Sequence, residues 1–375
     1  MARENSSGRR LAAVPSGAQV IGDWSASMEA DGRPHVRDVE AGDLSRAPPL
    51  AGVAARALDG FALGLERRRF AAGEVLIKQG ALPSEAFLLE SGVVDITVRR
   101  PGGARTAVAA IGPGELLGEV GLIHDAPRTA SAIAREAVTA IVIDRAFFQS
   151  ALHQRNAAAV QLTRHILATL GERFRATRDR LLALDGEEAG AAEPMPAAQP
   201  PSRPCRFDFS RFAPLLPFFR YFAADDLQAF LARGRAIEVE RGEVLFAHGD
   251  PAERSYVVLR GALVLLGERG HRRRQLGVLG PGRFAGMSPA IAGGTYEATC
   301  VVRSSGAVMA FPRVLVQELV RSGSGEGVAL LHAVCADLAG RLSRANNDLA
   351  GELMRQNICR GCETDAAAVL AQTSR

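Results

Sequence analysis

The chain lacks any apolar run long enough to cross a bilayer. Its most apolar segments, such as Gly261 to Gly267, fall far short of the ~20 residues a spanning helix needs. The N-terminus also lacks the apolar core of a secretory signal, so a cytoplasmic protein is expected. Cysteine is scarce, five in 375 residues, and too scattered for a disulfide framework. Cys359 and Cys362 form a lone C-x-x-C, which could ligate metal across a dimer or act in redox, but a single pair without a partner is more often incidental. No metal site is expected. Neither sign of charge dominates: 45 basic and 41 acidic residues leave a net charge of +4. That is not the footprint of a dedicated nucleic-acid binder, although a pI near 9.0 leaves one open. P-loop, kinase glycine-loop and cyclase signatures are missing, as are a Ser-His-Asp set and a cluster of metal ligands. The expectation is therefore not an enzyme, with no cofactor.

What the chain does have is repetition. An apolar content of 47% at this length can build the cores of two or three domains. Gly73-Glu74-Val75-Leu76 returns 169 residues later as Gly242-Glu243-Val244-Leu245, Gly80 returns as Gly249 and Gly92 as Gly261. Pro113-Gly114 then returns 168 residues later as Pro281-Gly282, and Gly118 as Gly286, so one residue has been lost in the intervening hairpin. Such constant spacing of paired glycines marks two complete copies of one domain.

The most informative stretch lies in the first copy, Leu117-Gly118-Glu119-Val120-Gly121-Leu122-Ile123-His124-Asp125-Ala126-Pro127-Arg128-Thr129-Ala130. A Gly-Glu opens a short apolar helix, and Pro-Arg-Thr-Ala closes it into a strand. Gly118 lets a ligand approach the backbone. The N–H groups of Val120 and Gly121 lie in the first turn, where no intrahelical acceptor exists. Arg128 offers a fork of donors suited to a phosphate, whereas Glu119 would repel one and is better placed to accept from a sugar hydroxyl. Taken alone, a Glu and an Arg flanking a helix also describe an exposed ion pair, worth about 0–1 kcal/mol; the full fourteen-residue pattern favours the ligand. His124 reads as a surface position.

This stretch resembles the phosphate-binding cassette of cyclic-nucleotide-binding domains, whose pattern is Phe-Gly-Glu, an apolar helix, then Pro-Arg, a small residue and Ala. Leu117 replaces the usual Phe. The resemblance implies that Glu119 holds a ribose 2′-hydroxyl, Arg128 holds the cyclic phosphate, Gly118, Val120, Gly121 and Ala130 complete the cassette, and Thr129 sits beside the purine. The base is left undecided between cAMP and cGMP. In the second copy the register places Met287 at the position of Glu119 and Tyr296 at that of Arg128, and Pro289 removes a helix-start donor. A buried phosphate without a cation carries a large desolvation penalty, so this copy is expected not to bind a cyclic nucleotide in the family's manner, with Met and Tyr filling its pocket.

The organisation follows. Residues 1–48 are expected to be a disordered tail, in which Arg9-Arg10-Leu11-Ala12 weakly resembles a kinase pseudosubstrate. Residues 49–185 form the first domain: a short helical lead-in at 50–66, strands from Phe70 to about Ile143 in which Val94, Ile96 and Val98 alternate with polar residues, and one long amphipathic helix over 145–185. Residues 186–206 form a Pro/Ala-rich linker. Residues 207–358 form the second domain, with a final helix from about Gly327 to Arg355, and 359–375 form a polar tail. Short strands and regular turns indicate a sandwich or barrel; the resemblance implies two tandem jelly-roll barrels, mainly β, each followed by a long helix. Those helices would lid the nucleotide, form a homodimer seam or dock on their own barrels. The basic tip His271-Arg272-Arg273-Arg274 reads as a solvated hairpin loop. No helix-turn-helix follows either helix. The expected function is a sensor that takes up a cyclic mononucleotide in the first domain and signals through an effector protein, with no membrane or nucleic-acid partner. The alternatives are a DNA-binding regulator with an unrecognised reader and a non-binding scaffold.

Overall fold

A computed structural model describes residues 39–99, 105–184, 198, 203–206, 209, 211–269 and 272–372. The pseudosubstrate-like Arg9-Arg10, most of the linker and the tip residue His271 lie outside the described residues. The first domain begins with α1 (Ala41–Ser45), a 3-10 turn at Pro48–Leu50 and α2 (Ala55–Ala62). Then come β1 (Glu66–Phe70), β2 (Val75–Ile77), β3 (Glu85–Ser91), β4 (Val94–Arg99), β5 (Arg105–Ile111), β6 (Leu116–Leu117), α3 (Val120–Ile123), β7 (Ser131–Ala134) and β8 (Val138–Asp144). The domain closes with α4 (Arg145–His153) and α5 (Ala157–Leu184). The second domain runs α6 (Ala224–Arg233), β9 (Arg235–Val239), β10 (Val244–Phe246), β11 (Arg254–Arg269), β12 (Arg272–Leu279) and β13 (Phe284–Ala285), then α7 (Met287–Ala292), β14 (Thr299–Pro312), α8 (Arg313–Ser322) and α9 (Gly325–Gln372).

The first barrel is two antiparallel sheets, β1-β8-β3-β6 and β2-β7-β4-β5. The second repeats the same neighbours, but β11 spans the counterparts of β3 and β4, and β14 those of β7 and β8, so its strands run through both layers as one sheet. The bend falls at Gly261, where the register slips and φ is +86°. A Cβ there would stand 2.7 Å from the Ser304 carbonyl oxygen, so only glycine turns this corner. Gly92, with φ +81°, makes the same corner in the first barrel.

Three apolar clusters hold the fold. Phe70, Phe87, Leu117 and Val142 fill the first barrel, and Phe246, Tyr256, Leu263 and Tyr296 the second. The third joins the helices of both domains, from Leu44 and Phe61 through Ile166 and Leu170 to Leu331 and Leu338. Helices α5 and α9 pair along their length: Cys335 Sγ lies 3.5 Å from the Thr163 carbonyl, and Thr177 Oγ1 donates to Asn346 Oδ1 at 3.0 Å. The apolar faces expected to support a homodimer seam are thus covered by each other within one chain.

Several expectations need correction. Residues 39–48 are not tail: Leu44 is fully buried, and Asp43 of α1 joins Glu90 in gripping Arg67 at 2.6–2.8 Å, an ion cluster nearly closed to solvent. The long helix over 145–185 is two helices. Arg155 takes φ +61° between them, and Asn156 Oδ1 accepts from the Ala158 N–H to start α5 afresh. The linker's last residues belong to the second barrel, because the Cys205 N–H donates to the Ala236 carbonyl. Helix α9 continues through the supposed polar tail to Gln372, carrying Cys359 and Cys362.

One histidine in the seam sets an acid limit. The His332 ring of α9 packs tilted against Tyr221 with centroids 4.4 Å apart, and its Nε2 is buried with no hydrogen-bond partner among the described residues. Burial, reinforced by Arg220 and Arg145, pushes its pKa down to about 4. The unfolded imidazole binds its proton near 6.5, so between those values the unfolded chain holds more protons and stability falls as pH is lowered. We expect a loss of up to about 3 kcal/mol from this group between pH 6.5 and 4. Urea unfolding of His332→Phe should show a flatter acid limb than the parent; parallel limbs would contradict the assignment.

Candidate functional site

All seven sequence-predicted residues, Gly118, Glu119, Val120, Gly121, Arg128, Thr129 and Ala130, line one cavity of about 540 Å³. The turn after β6 places them. Gly118 takes φ +76°, and a Cβ on it would lie 2.7 Å from Ile77 Cδ1 and 2.9 Å from Arg128 Nη1, so the strand-to-helix turn and the guanidinium share space only because the residue is glycine. Glu119 then takes the N-cap position of α3 without a side-chain capping bond, and is 3% exposed.

Arg128 is held by backbone. Its Nη1 donates to the Gly118 carbonyl at 2.7 Å and its Nη2 to the Glu85 carbonyl of β3. Neutral carbonyls orient the cation without neutralising it. Burial lowers its pKa from the ordinary arginine value, Arg145 adds to that, and Glu119 and Glu85 oppose it. A half-buried guanidinium in this condition favours an incoming anion. Glu119 Oε1 has an ion contact with Arg173 Nη1 at 2.7 Å but no hydrogen-bond partner. A buried carboxylate oxygen with an unused lone pair is matched to a hydroxyl donor.

Two expectations about the cassette change. The Gly121 N–H is not free, since it donates to the Gly118 carbonyl at 3.0 Å. His124 is not at the surface: it lies half-buried on the cavity wall, its ring 3.7 Å from where a Cβ on Gly340 of α9 would stand. Burial, with Arg220, Arg145 and Arg344 nearby, lowers its pKa.

Sequence reading offered a helical lid among its alternatives but singled out none of the residues that form the roof. Arg173, Ala176, Thr177 and Arg180 of α5 cover the cavity from its own domain, and Ala339, Leu342, Ser343 and Asn346 of α9 cover it from the other. Each set follows i, i+3, i+4, i+7, one face of a helix. The available signal was the polar members of each stripe, Arg173, Thr177 and Arg180 on α5 and Ser343 and Asn346 on α9. Their meeting depends on the long-range pairing of two helices, which no local pattern encodes.

The second cassette keeps the backbone and replaces the chemistry. Gly249 N–H donates to the Tyr296 carbonyl as Gly80 N–H does to that of Arg128, both at 2.8 Å. Tyr296 Oη donates to the Arg254 carbonyl at 2.6 Å, and Arg254 is the counterpart of Glu85. The tyrosine therefore satisfies the same strand carbonyl as Arg128, without its charge. Its ring stacks on Phe246, the counterpart of Ile77, with centroids 3.8 Å apart, and Met287 is fully buried where Glu119 would be. About 70 Å³ remains. Tyr296, Phe246 and Met287 thus take up space that is open in the first cassette.

The chain thus presents one β-sandwich with a short cassette helix twice, once around an open cavity of about 540 Å³ and once around a space reduced to about 70 Å³. Residues 67–155 and 236–322 each match the family model of the cyclic nucleotide-binding domain, so the chain carries two copies of that domain. It is 37% identical over 116 residues to acetyltransferase Pat of Mycolicibacterium smegmatis, covering 31% of this chain and 34% of that protein. It is 29% identical over 141 residues to the CRP-like cAMP-activated global transcriptional regulator of Mycobacterium tuberculosis, covering 38% and 61%. It is 32% identical over 88 residues to the cAMP-dependent protein kinase regulatory subunit of Blastocladiella emersonii, covering 24% and 22%. The chain thus spans less than two thirds of each of these relatives. Among solved structures, the regulatory domain of Toxoplasma gondii PKA with cAMP aligns over 76% of this chain and 91% of that one, at 16% identity and a TM-score of 0.29.

The Tyr296–carbonyl bond should be measurable as stability. Tyr296→Phe strips the Arg254 carbonyl of its side-chain donor, and we expect a loss of about 1–3 kcal/mol in urea unfolding. An unchanged unfolding midpoint would mean that the tyrosine acts only as filler.

Proposed function

We propose that this chain is a sensor of one 3′,5′-cyclic purine mononucleotide, bound in the first domain and not in the second, which signals through a partner protein. The observation that carries the reading is the pairing, in one cavity of about 540 Å³, of a guanidinium held by two backbone carbonyls with a buried carboxylate whose Oε1 has an ion contact with Arg173 but, among the described residues, accepts no hydrogen bond. A cyclic nucleotide presents the complement of both, a phosphate anion and a ribose hydroxyl a few bonds apart. In this reading Arg128 takes the phosphate, Glu119 the 2′-hydroxyl, and Gly118, Val120 and Ala130 shape the cradle. Thr129, with Thr177 and Asn346 in the roof, then meets the purine. Relatives named for cAMP support cAMP over cGMP.

The reading is of a regulator in the cytoplasm rather than an enzyme. Among the described residues no helix is long and apolar enough to cross a membrane, and no group of three His, Cys, Asp or Glu could hold a metal. Both matched segments are binding domains.

Calorimetric titration of the full chain with cAMP and cGMP tests it. We expect one nucleotide per chain and tighter binding of cAMP. Arg128→Leu should weaken uptake about a hundredfold or more, because a buried phosphate without its cation loses roughly 3 kcal/mol. No uptake by the parent, two nucleotides per chain, or unchanged affinity in Arg128→Leu would each overturn the assignment.

A further inference from the structure

Helix α5 serves two sites at once. While Arg173, Ala176, Thr177 and Arg180 face the first cavity, Gly171, Phe174, Arg175 and Arg178 face the second cassette. Each set is again i, i+3, i+4, i+7, so two stripes of the same two turns lie against different barrels. Successive residues turn about 100° around the axis, which puts Thr177 and Arg178 on adjacent faces. A shift of one face is a shift of the other.

At the second face stands a carboxylate where the first cassette has none. Glu297 follows Tyr296 and occupies the register position of Thr129. Arg175 Nη1 donates to Glu297 Oε1 at 3.1 Å, and Arg178 Nη1 donates both to Oε2 and to the Glu297 carbonyl, each at 3.1 Å. The Arg178 side chain is only 11% exposed, against 44% for Arg175. Little screening reaches the Arg178 bond, so it is the stronger of the two. Arg178 is further steadied by Asp179, at 2.9–3.0 Å.

We propose that Glu297 is a built-in anion of the filled cassette, and that its clamp on Arg178 and Arg175 sets the position of α5 over the first cavity. The second domain thereby tunes the affinity of a site to which it otherwise contributes only part of the roof. Glu297, Arg175 and Arg178 are positioning residues: they do not line the first cavity, but they fix the azimuth of the helix that carries Arg173 and Thr177. The proposal rests on the nucleotide reading of the first site given above.

The test uses the full chain, with cAMP affinity and release rate as one readout and amide hydrogen exchange over residues 171–180, without nucleotide, as a second. Glu297→Gln keeps the shape and removes the charge. It should weaken cAMP binding about five- to tenfold, a modest coupling between distant sites, chiefly through faster release, and should speed exchange in that segment. Glu297→Asp keeps the charge and should hold both readouts closer to the parent than Glu297→Gln does. Parental affinity and exchange in Glu297→Gln would overturn the clamp, and so would an equal loss in Glu297→Asp and Glu297→Gln. If the parent takes up no cAMP, the nucleotide reading fails, and the exchange measurement still decides whether Glu297 positions the helix.

Discussion

The structure turns on the pairing of α5 with α9 between two cassettes. A helix pair of this kind has a limited set of faces: one stripe on each member must meet the other helix, and what remains is divided between the two barrels. The residues of α5 that face the second cassette, 171, 174, 175 and 178, correspond one for one, at a spacing of 168, to those of α9 that face the first, 339, 342, 343 and 346. This exchange of roles is the signature of a two-fold relation, here between halves of one chain. It explains why the third apolar cluster is continuous across both domains, and why the open cavity has walls from one domain and half its roof from the other.

The same relation clarifies what happened to the second cassette. Three substitutions act together: Ile77 becomes Phe246, Glu119 becomes Met287 and Arg128 becomes Tyr296. Losing Arg128 alone would leave the strand carbonyl without its donor; losing Glu119 alone would leave the cation without the carboxylate whose charge acts on it most. Changing all of them to apolar or neutral groups that stack and still satisfy the carbonyl avoids both penalties, in keeping with the general finding that a buried ionic set is better replaced whole than broken. The glycine at the turn is retained because its need is geometric: at Gly286 a Cβ would stand 2.7 Å from Tyr296 Cε1, as at Gly118 it would crowd Arg128.

The barrels and the cassette were legible in sequence because local geometry writes them there. Turns with positive φ demand glycine, and five glycine pairs with positive φ at constant spacing carry the repeat. Where the same geometry is met by another residue, the signal disappears. The break between α4 and α5 falls at Arg155, with φ +61°, whereas its counterpart between α8 and α9 is Gly323, with φ +65°. Only the second copy announces the break. Helix α1 was hidden for a different reason: five residues are too few to show a period, and its place is fixed by Leu44 in the core and Asp43 on Arg67, both long-range. The roof of the site was hidden because a stripe on α9 has no local mark of which barrel it will face.

A two-fold arrangement built from one chain escapes a limit that binds a symmetric dimer. In a homodimer every substitution appears at both sites, so a residue useful as a ligand holder in one cannot become a fixed anchor in the other. Here Thr129 and Glu297 occupy equivalent places and are free to differ. Likewise Arg173 reaches Glu119, while its counterpart Arg341, facing Met287, turns instead to Asp337 at 2.6 Å and to the face of Phe284 at 4.6 Å. The cation is kept in both helices, but only one copy leaves it beside the open cavity. In the sensor reading proposed above, such divergence separates two tasks: one barrel retains the polar groups that a ligand engages, and the other, filled by its own side chains, holds the shared helices. A ligand shifts a conformational equilibrium only by its differential affinity for the two states, and a helix pair anchored on one side and contacted by the ligand on the other is where that difference can be expressed.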